Sequence, residues 1–487
     1  MTVSPKQVVP QRVAIVGGGI AGLSTALFLH ERAQESGLPL SCSIIEAGPA
    51  WGGKIATHRT GDFLIEAGPD SFLSHKPWAL ELCAKLGLSD DLINTNEAEK
   101  KAFVFSRGRL RELPEGLVVI VPTKLGPFLR SGLVSWPGMA RMALDLVLPP
   151  RREESDESLA SFFRRRLGRE AFDRLIEPLM AGIYAGDAEQ MSLLATFPRF
   201  RELEQRHGSL IRGMLAARQT DSAAGSRRPR RTLFVTLRGG LGQLVNTLVA
   251  RLTAAGVTLQ LGRPVTWLRR HAEGSPTRFE LGLADSAPLT ADAVVLATPA
   301  FVAADLIRPL EPLAAELLAG ISYASTGTVS LAYDRTELGS AAAGFGFVVP
   351  RIERRALLAA TWSSLKWPHR APPNQALLRC YIGGVGREDI VKADDAKIIA
   401  TVRQELQSLA GIEAKPLYTE VSRWIQGMPQ YTVGHLDRLE RIQAALRRHA
   451  GLFLTGAGYH GIGIPDCIRD GNTTASEVAR VLSASHS

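Results

Sequence analysis

After a short polar lead, four apolar residues follow without a break, Val13-Ala14-Ile15-Val16. Such a run reads as a strand buried on both faces of a parallel sheet. Six residues rich in glycine come next, and from Ala21 to His30 the pattern is helical. A second strand, Ser41 to Ile45, stops at Glu46, and this strand–loop–helix–strand unit extends to about residue 95. From roughly 116 to 217 strand signals thin out and helical spacing dominates. Strands return near 232, and "DAVVLATPA" (292–300) predicts a buried strand ending in a turn of small residues. The segments "GTVSLAYD", "FGFVVP", "LLAATW" and "LLRCYIGG" alternate apolar and polar positions, which predicts a mixed sheet within 306–447. The end, "GLFLTGAGYHGIGIPDCIRDGNTTASEVARVL", reads as a strand, a glycine loop and a helix beginning near Asp466. No internal repeat is visible.

The first loop, Gly17-Gly18-Gly19-Ile20-Ala21-Gly22, has the G-x-G-x-x-G spacing of a dinucleotide site. Gly17 permits a tight turn, Gly19 admits the backbone to a pyrophosphate, and Gly22 lets helix and strand pack closely. The helix start offers free N–H groups to phosphate. Glu46 closes the next strand, where a carboxylate takes ribose hydroxyls. The loop alone does not separate NAD from FAD. A second G-x-G-x-x-G, Gly456 to Gly461, has only 26 residues after it. That is too few for another βαβ unit, which needs about 30 or more. It is therefore expected to wall in whatever the first loop binds, with the last helix aimed at that ligand. A flavin suits this arrangement, because a helix N-terminus stabilises the anionic reduced ring.

Composition narrows the class. A chain of 487 residues with 45% hydrophobic content supports several domains. Its four cysteines, Cys42, Cys83, Cys380 and Cys467, form no C-x-x-C pair, so neither zinc site nor disulfide scaffold is indicated and no metal is expected. Cysteine usage, no visible secretory signal and no spanning apolar run point to a cytoplasmic protein. The net charge of +9 favours anionic partners. The basic cluster "SRRPRR" (226–231) lacks interleaved aromatics, so it reads as a solvated loop and nucleic acid is not a partner. Residues 116–152 place Lys124, Arg130, Arg141, Arg151 and Arg152 among apolar residues with one acid, Asp145. Two readings stay open there: a segment peripheral on an anionic membrane surface, or an ordinary packed helical subdomain.

Taken in order, these segments resemble the FAD-dependent amine-oxidase-like superfamily. Within it they are similar to the oxygen-dependent protoporphyrinogen and coproporphyrinogen oxidases of haem biosynthesis. The general motifs are the glycine loop, "EAGPAWGGK" (46–54) and the pair Pro264-Val265. The specific ones are "FLIEAGPDSFL" (63–73), "LIEPLMAGIYAGDAEQMS" (175–192), "LRGGLGQLVNTL" (237–248), "GFGFVVP" (344–350), "GMPQYTVGH" (427–435) and "GYHGIGIPDCI" (458–468).

The resemblance implies an α/β fold in three parts. A discontinuous Rossmann-like FAD-binding domain would take 10–95, 218–305 and 448–487. A mixed-sheet substrate domain would take 96–115 and 306–447, and a helical, membrane-associating domain 116–217. FAD is expected to be held non-covalently, because the glycine loop opens a helix and the last motif offers no flavin-linking cysteine, Cys467 falling in the helix's first turn. By the same resemblance, Gly17, Gly18, Gly19, Ile20, Ala21 and Gly22 would hold the pyrophosphate, Glu46 with Ala47 the adenosine ribose, and Gly53 and Lys54 would lie along the phosphates. Ala67, Gly68, Pro69 and Asp70 would pass near the flavin, Val265 would offer its backbone to adenine, and Trp424, Ile462, Gly463 and Ile464 would meet the ring region. Gly182, Phe347, Val348, Tyr381 and Ile382 would line the substrate cavity. Several relatives carry an arginine just before "FVF", and Ala102 stands there in this chain; Lys100 or Lys101 is the candidate substitute, as a point charge.

No catalytic side chain is expected, because the cofactor carries the hard step. Six electrons separate a porphyrinogen from its porphyrin, so a flavin would turn over three times. Each turn would remove a hydride from a meso carbon and a proton from a pyrrole N–H, and oxygen would take the electrons to give hydrogen peroxide. His460 reads as a solvent-facing or carbonyl-bonded residue rather than a base, and Asp70 either as a loop cap or as a substrate contact. The candidate partners are the porphyrinogen, molecular oxygen, an anionic membrane surface and a second copy of the chain. Competing classes are another flavin oxidase or desaturase of the superfamily, and a non-catalytic flavin-fold binding protein. Amine oxidases usually set two aromatics about the flavin face, and here only Tyr459 is a candidate.

Overall fold

The computed structural model describes residues 9–484 apart from 115–116, 119–120, 123–124, 224–230, 273–274, 276 and 285. Lys124 and all of the 226–231 cluster except Arg231 lie outside the described residues. Arg231 donates from Nη1 to the Leu92 carbonyl at 2.9 Å.

A five-stranded parallel sheet is built from Thr258–Gln260, Leu40–Ile45, Gln11–Val16, Ala293–Leu296 and Leu452–Leu454, in that spatial order. Val13 pairs with Cys42 on one side and Ala293 on the other. The first strand is thus central, and the strand order reverses beside it. In open α/β sheets that reversal leaves a crevice at the carboxyl ends of the strands. Helix Ile20–Ser36 covers the sheet with Leu23, Ala26, Leu27 and Leu29 buried, and ends on Gly37 at φ 68°. The last helix, Ile464–Ala484, crosses it closely: a Cβ on Gly471 would lie 2.8 Å from the Ala21 carbonyl. Pro465 sits in its first turn, where the missing N–H costs nothing.

A seven-stranded sheet runs in the order Tyr418–Pro429, Tyr323–Asp334, Gln375–Gly383, Leu357–Trp362, Gly346–Val348, Ala102–Ser106, Arg109–Glu112. It is antiparallel except where Gly346–Val348 runs parallel to Ala102–Val104. One face packs on helix Asp395–Ala410 through Ile398, Val402 and Leu406.

Between 125 and 223 the chain is mainly helical around Phe162, Phe163, Phe172 and Phe200, all buried. Burying each such ring contributes about 2 kcal/mol. Beneath lies an ion network: Arg166, fully buried, binds Asp145 at 2.5 Å and Glu204 at 3.4 Å, and Arg165 reaches Glu204 at 2.6 Å. Asp145, the lone acid of the 116–152 segment, is therefore structural. Arg141 caps the carbonyls of Arg164, Arg165 and Arg166, and Arg151 pairs with Glu153 and Glu157. Only Arg130 and Arg152 of the segment's described cations are exposed.

Candidate functional site

The first glycine loop leaves the carboxyl end of the central strand of the parallel sheet, beside the ends of its two neighbours. The Gly17 N–H donates to the Ile45 carbonyl at 2.8 Å, and Gly17 adopts φ 112° with the Ala297 carbonyl 2.6 Å from where a Cβ would stand. A Cβ on Gly22 would collide with the Gly17 carbonyl. At Gly19 a Cβ would meet nothing within 4 Å. Two glycines are therefore demanded by backbone packing and one faces open space. Helix Ile20–Ser36 starts at Gly19 with no side-chain cap, so its first N–H groups, at Ile20 and Ala21, remain for a ligand.

Around this opening the expected adenosine residues gather. The N–H groups of Gly18 and Gly48 donate to the two Glu46 oxygens at 2.6 and 2.7 Å. This fixes the carboxylate and leaves acceptor capacity for hydroxyls. Ala47 lies exposed between them. Arg263 donates its N–H to the Glu46 carbonyl at 2.9 Å, which brings the turn before Val265 alongside. Gly53, at φ 59°, abuts the Gly19 Cα. Lys54 is half-buried, and among the described residues no carboxylate lies within ion-pair distance of it. Burial pushes its ammonium below the usual lysine range, with a smaller opposing effect from the Cys467 side chain. An uncapped helix start, an open glycine and an unpaired lysine together suit a diphosphate.

The turn Ala67–Asp70 is locked from the seven-stranded sheet. The Ala67 carbonyl accepts from Thr328 Oγ1 at 3.0 Å and from the Trp424 indole at 2.9 Å, and the Gly68 carbonyl accepts from Arg379. A Cβ on Gly68 would strike the Lys54 carbonyl, so this turn touches the phosphate-side segment. Asp70 is neither loop cap nor free carboxylate. It pairs with Lys366 at 3.1 Å and accepts from Ser71, while its carbonyl takes Thr236 and Arg370. Burial alone would raise its carboxyl, but Lys366, Arg379 and Arg370 outweigh burial and hold it well below the usual carboxylate range. Pro69 completes the turn.

Ile462, Gly463 and Ile464 bridge two cores: Ile462 packs on the helical cluster and Ile464 on the parallel-sheet cluster. The loop before them is held by Tyr431, whose hydroxyl donates to Ala457 and accepts from Gly461. Tyr431 stacks on His435 at 4.1 Å. Asp470 accepts from Thr455 and the Gly456 N–H. His460 is exposed, and its carbonyl accepts from Arg469.

The expected substrate positions divide by strand alternation. Val348 faces the helical cluster and Tyr381 stands half-buried with the Arg379 guanidinium 4.9 Å from its ring. A Cβ on Gly182 would meet open space. The side chains of Phe347 and Ile382 point the other way, into the core beneath helix Asp395–Ala410. One residue along a strand inverts the face, so these two support the wall rather than line it. Lys101 is also corrected. Its ammonium pairs with Glu112 at 3.1 Å on the outer edge of the sheet, and the side chain is 62% exposed. Sequence reading missed the buried cluster Glu66–Arg370–Asp70–Lys366, which joins residues some 300 apart in the chain and leaves no spacing signature.

The flavin-containing amine oxidoreductase family model matches residues 20–479. The chain belongs to that family. As a flavin-containing amine oxidoreductase it takes FAD as its cofactor and is an oxidoreductase. It is 39% identical to a coproporphyrinogen III oxidase of Bacillus subtilis (strain 168), over 97% of this chain and 98% of that one. It is 35% identical to a coproporphyrinogen III oxidase of Propionibacterium freudenreichii subsp. freudenreichii, over 96% and 90%. A solved structure from Exiguobacterium sp. 255-15, provisionally described as a protoporphyrinogen oxidase, superposes with a TM-score of 0.85 at 34% identity, covering 97% of this chain and 99% of that one. No described helix of this family member is long and apolar enough to cross a membrane.

Proposed function

We propose that this flavoprotein oxidises a porphyrinogen to the porphyrin with oxygen as acceptor and hydrogen peroxide as by-product, and that coproporphyrinogen III is its preferred substrate. The observation that carries this reading is the near-full-length likeness to enzymes bearing that name. Bound FAD supplies the hydride acceptor. The chain's own residues position it. The Gly17–Gly22 backbone and Lys54 hold the diphosphate, Glu46 the ribose and the Val265 backbone the adenine. Ala67–Asp70, fixed by Arg379, Thr328 and Trp424, and Ile462–Ile464 would hold the flavin ring. Tyr381 and Val348 present the sheet and strand surface against which a macrocycle lies, and the helix carrying Gly182 excludes water. Aerobic incubation with coproporphyrinogen III should give porphyrin fluorescence and peroxide; no porphyrin above the autoxidation rate would overturn the reading.

FAD is held without a covalent bond. The only cysteine in the last glycine motif, Cys467, lies buried in the helix's first turn, and burial pushes its thiol up to about 12. Such a thiol stays protonated and unreactive. Acid precipitation should leave the yellow colour in the supernatant, and a yellow pellet would contradict it.

The 116–152 segment supports peripheral membrane binding. Trp136 (70%) and Val147 (75%) are exposed, with Leu144 and Leu146 beside them and Arg130 and Arg152 at the margin. Aromatic and aliphatic side chains flanked by cations suit an anionic interface.

A further inference from the structure

Between helix Glu177–Tyr184 and the ends of the strands Gly346–Val348 and Gln375–Gly383 lies a cleft whose walls include Gly182, Val349, Leu358 and Gly383. Ala185, at φ 46°, closes the helix onto the sheet by accepting the Val385 N–H at 2.9 Å. Arg351 and Arg387 also line this cleft. Arg387 donates only to carbonyls, Arg355 at 3.1 Å and Arg351 at 3.2 Å, and among the described residues no carboxylate lies within ion-pair distance of it. Arg351 has one loose partner, Asp187 at 3.7 Å. Glu177, the acid in the cleft wall, is occupied by the Arg351 N–H at 3.1 Å. Burial, and then the charge of Arg351, depress the guanidinium of Arg387, with Glu177 opposing weakly. Two neighbouring cations face one acid in the cleft wall, itself engaged by a backbone N–H, so a further anion would be favourable beside them.

We propose that Arg387, assisted by Arg351, binds a carboxylate of the substrate in this cleft. The proposal rests on the porphyrinogen reading and names the group that reading lacked, since Ala102 stands where an arginine was expected and Lys101 is turned outward to Glu112. Arg379 and Tyr381 share one face of their strand, and the alternation ends at Gly383, φ 87°, where the chain enters the cleft wall. Arg379 touches the Gly68 carbonyl of the flavin-side turn, and Gly383 lies four residues on, in the cleft. Four residues of strand span about 13 Å, the scale of a tetrapyrrole with its arms. A macrocycle with a meso carbon at the flavin thus brings a side chain on its far edge to Arg387. Coproporphyrinogen carries a carboxylate on every pyrrole, so any ring orientation supplies one.

The test is steady-state kinetics with coproporphyrinogen III and its tetramethyl ester, using the holoenzyme, Arg387→Gln, Arg387→Lys and Arg351→Gln, with flavin content checked for each. The expected result is a KM for the free acid raised about tenfold in Arg387→Gln, less in Arg387→Lys and Arg351→Gln, with kcat nearly unchanged. The KM for the ester should be the same in all four proteins. If KM for acid and ester rise together, or neither moves, Arg387 merely ties down the 351–355 turn and the proposal is overturned. Failure of the parent protein to oxidise either substrate would instead overturn the porphyrinogen reading itself.

Discussion

Single glycines in the first loop do different work, and substitution separates them. Gly19→Leu places a side chain in open space, so the protein should fold and lose FAD, read as normal far-ultraviolet dichroism with no flavin absorbance. Gly22→Leu drives a side chain into the Gly17 carbonyl and should destabilise folding by about 3 kcal/mol or more. Equal behaviour of the two variants would contradict this division. His435 offers a pH prediction. It is fully buried, and the Tyr459 carbonyl accepts from its Nε2–H, which fixes the neutral tautomer. Burial lowers its pKa to about 4, against a smaller upward effect of that bond. A depressed histidine is fully stabilising above its unfolded value, and that stability is lost as pH falls from about 6.5 towards 4. His435→Phe should flatten the loss of melting temperature across that window; an unaltered slope would exclude His435 as its source. At the sheet edge, Lys101→Ala should leave KM unchanged, because its partner is Glu112 and the pair is exposed.

Elements were legible where one local rule decides them. The run Val13–Val16, the glycines and the helix after them form a pattern no tertiary contact has to complete, and the strand at 293–296 announced itself by an unbroken apolar run. What escaped was which face of a strand looks inward when both faces are buried. Phe347 and Val348 are equally apolar, and only the helix at 395–410 tells them apart. The 116–152 segment shows the same ambiguity resolved piecewise: Arg141 and Asp145 serve the interior, whereas Trp136 and Val147 remain outside. Flotation with anionic vesicles at low salt should carry the protein upward, and Trp136→Ala with Val147→Ser should leave it at the bottom. A parent protein that never floats would reduce the segment to a packed subdomain. Arg166→Met would leave the buried Asp145 without its cation, while Glu204 keeps Arg165 and Arg201, at a cost of about 3–5 kcal/mol, measurable by urea denaturation.

Across the whole molecule, the candidate site lies where the parallel sheet, the antiparallel sheet and the helical part meet. The Ala67 carbonyl is held by two strands of the seven-stranded sheet although it belongs to the nucleotide-side segment. Tyr431 ties the last glycine loop to the helical core. The arginines of the cleft carried no mark in the sequence: Arg351 and Arg387 follow different strands and become neighbours only when the sheet forms. The most direct test of the account is anaerobic mixing of the yellow holoenzyme with coproporphyrinogen III, followed at the flavin absorption band. The account predicts bleaching of the flavin as it takes the first two of the six electrons, and return of the band with peroxide release and a rise of porphyrin absorbance when oxygen is admitted. A flavin band that stays unchanged under saturating porphyrinogen would contradict it.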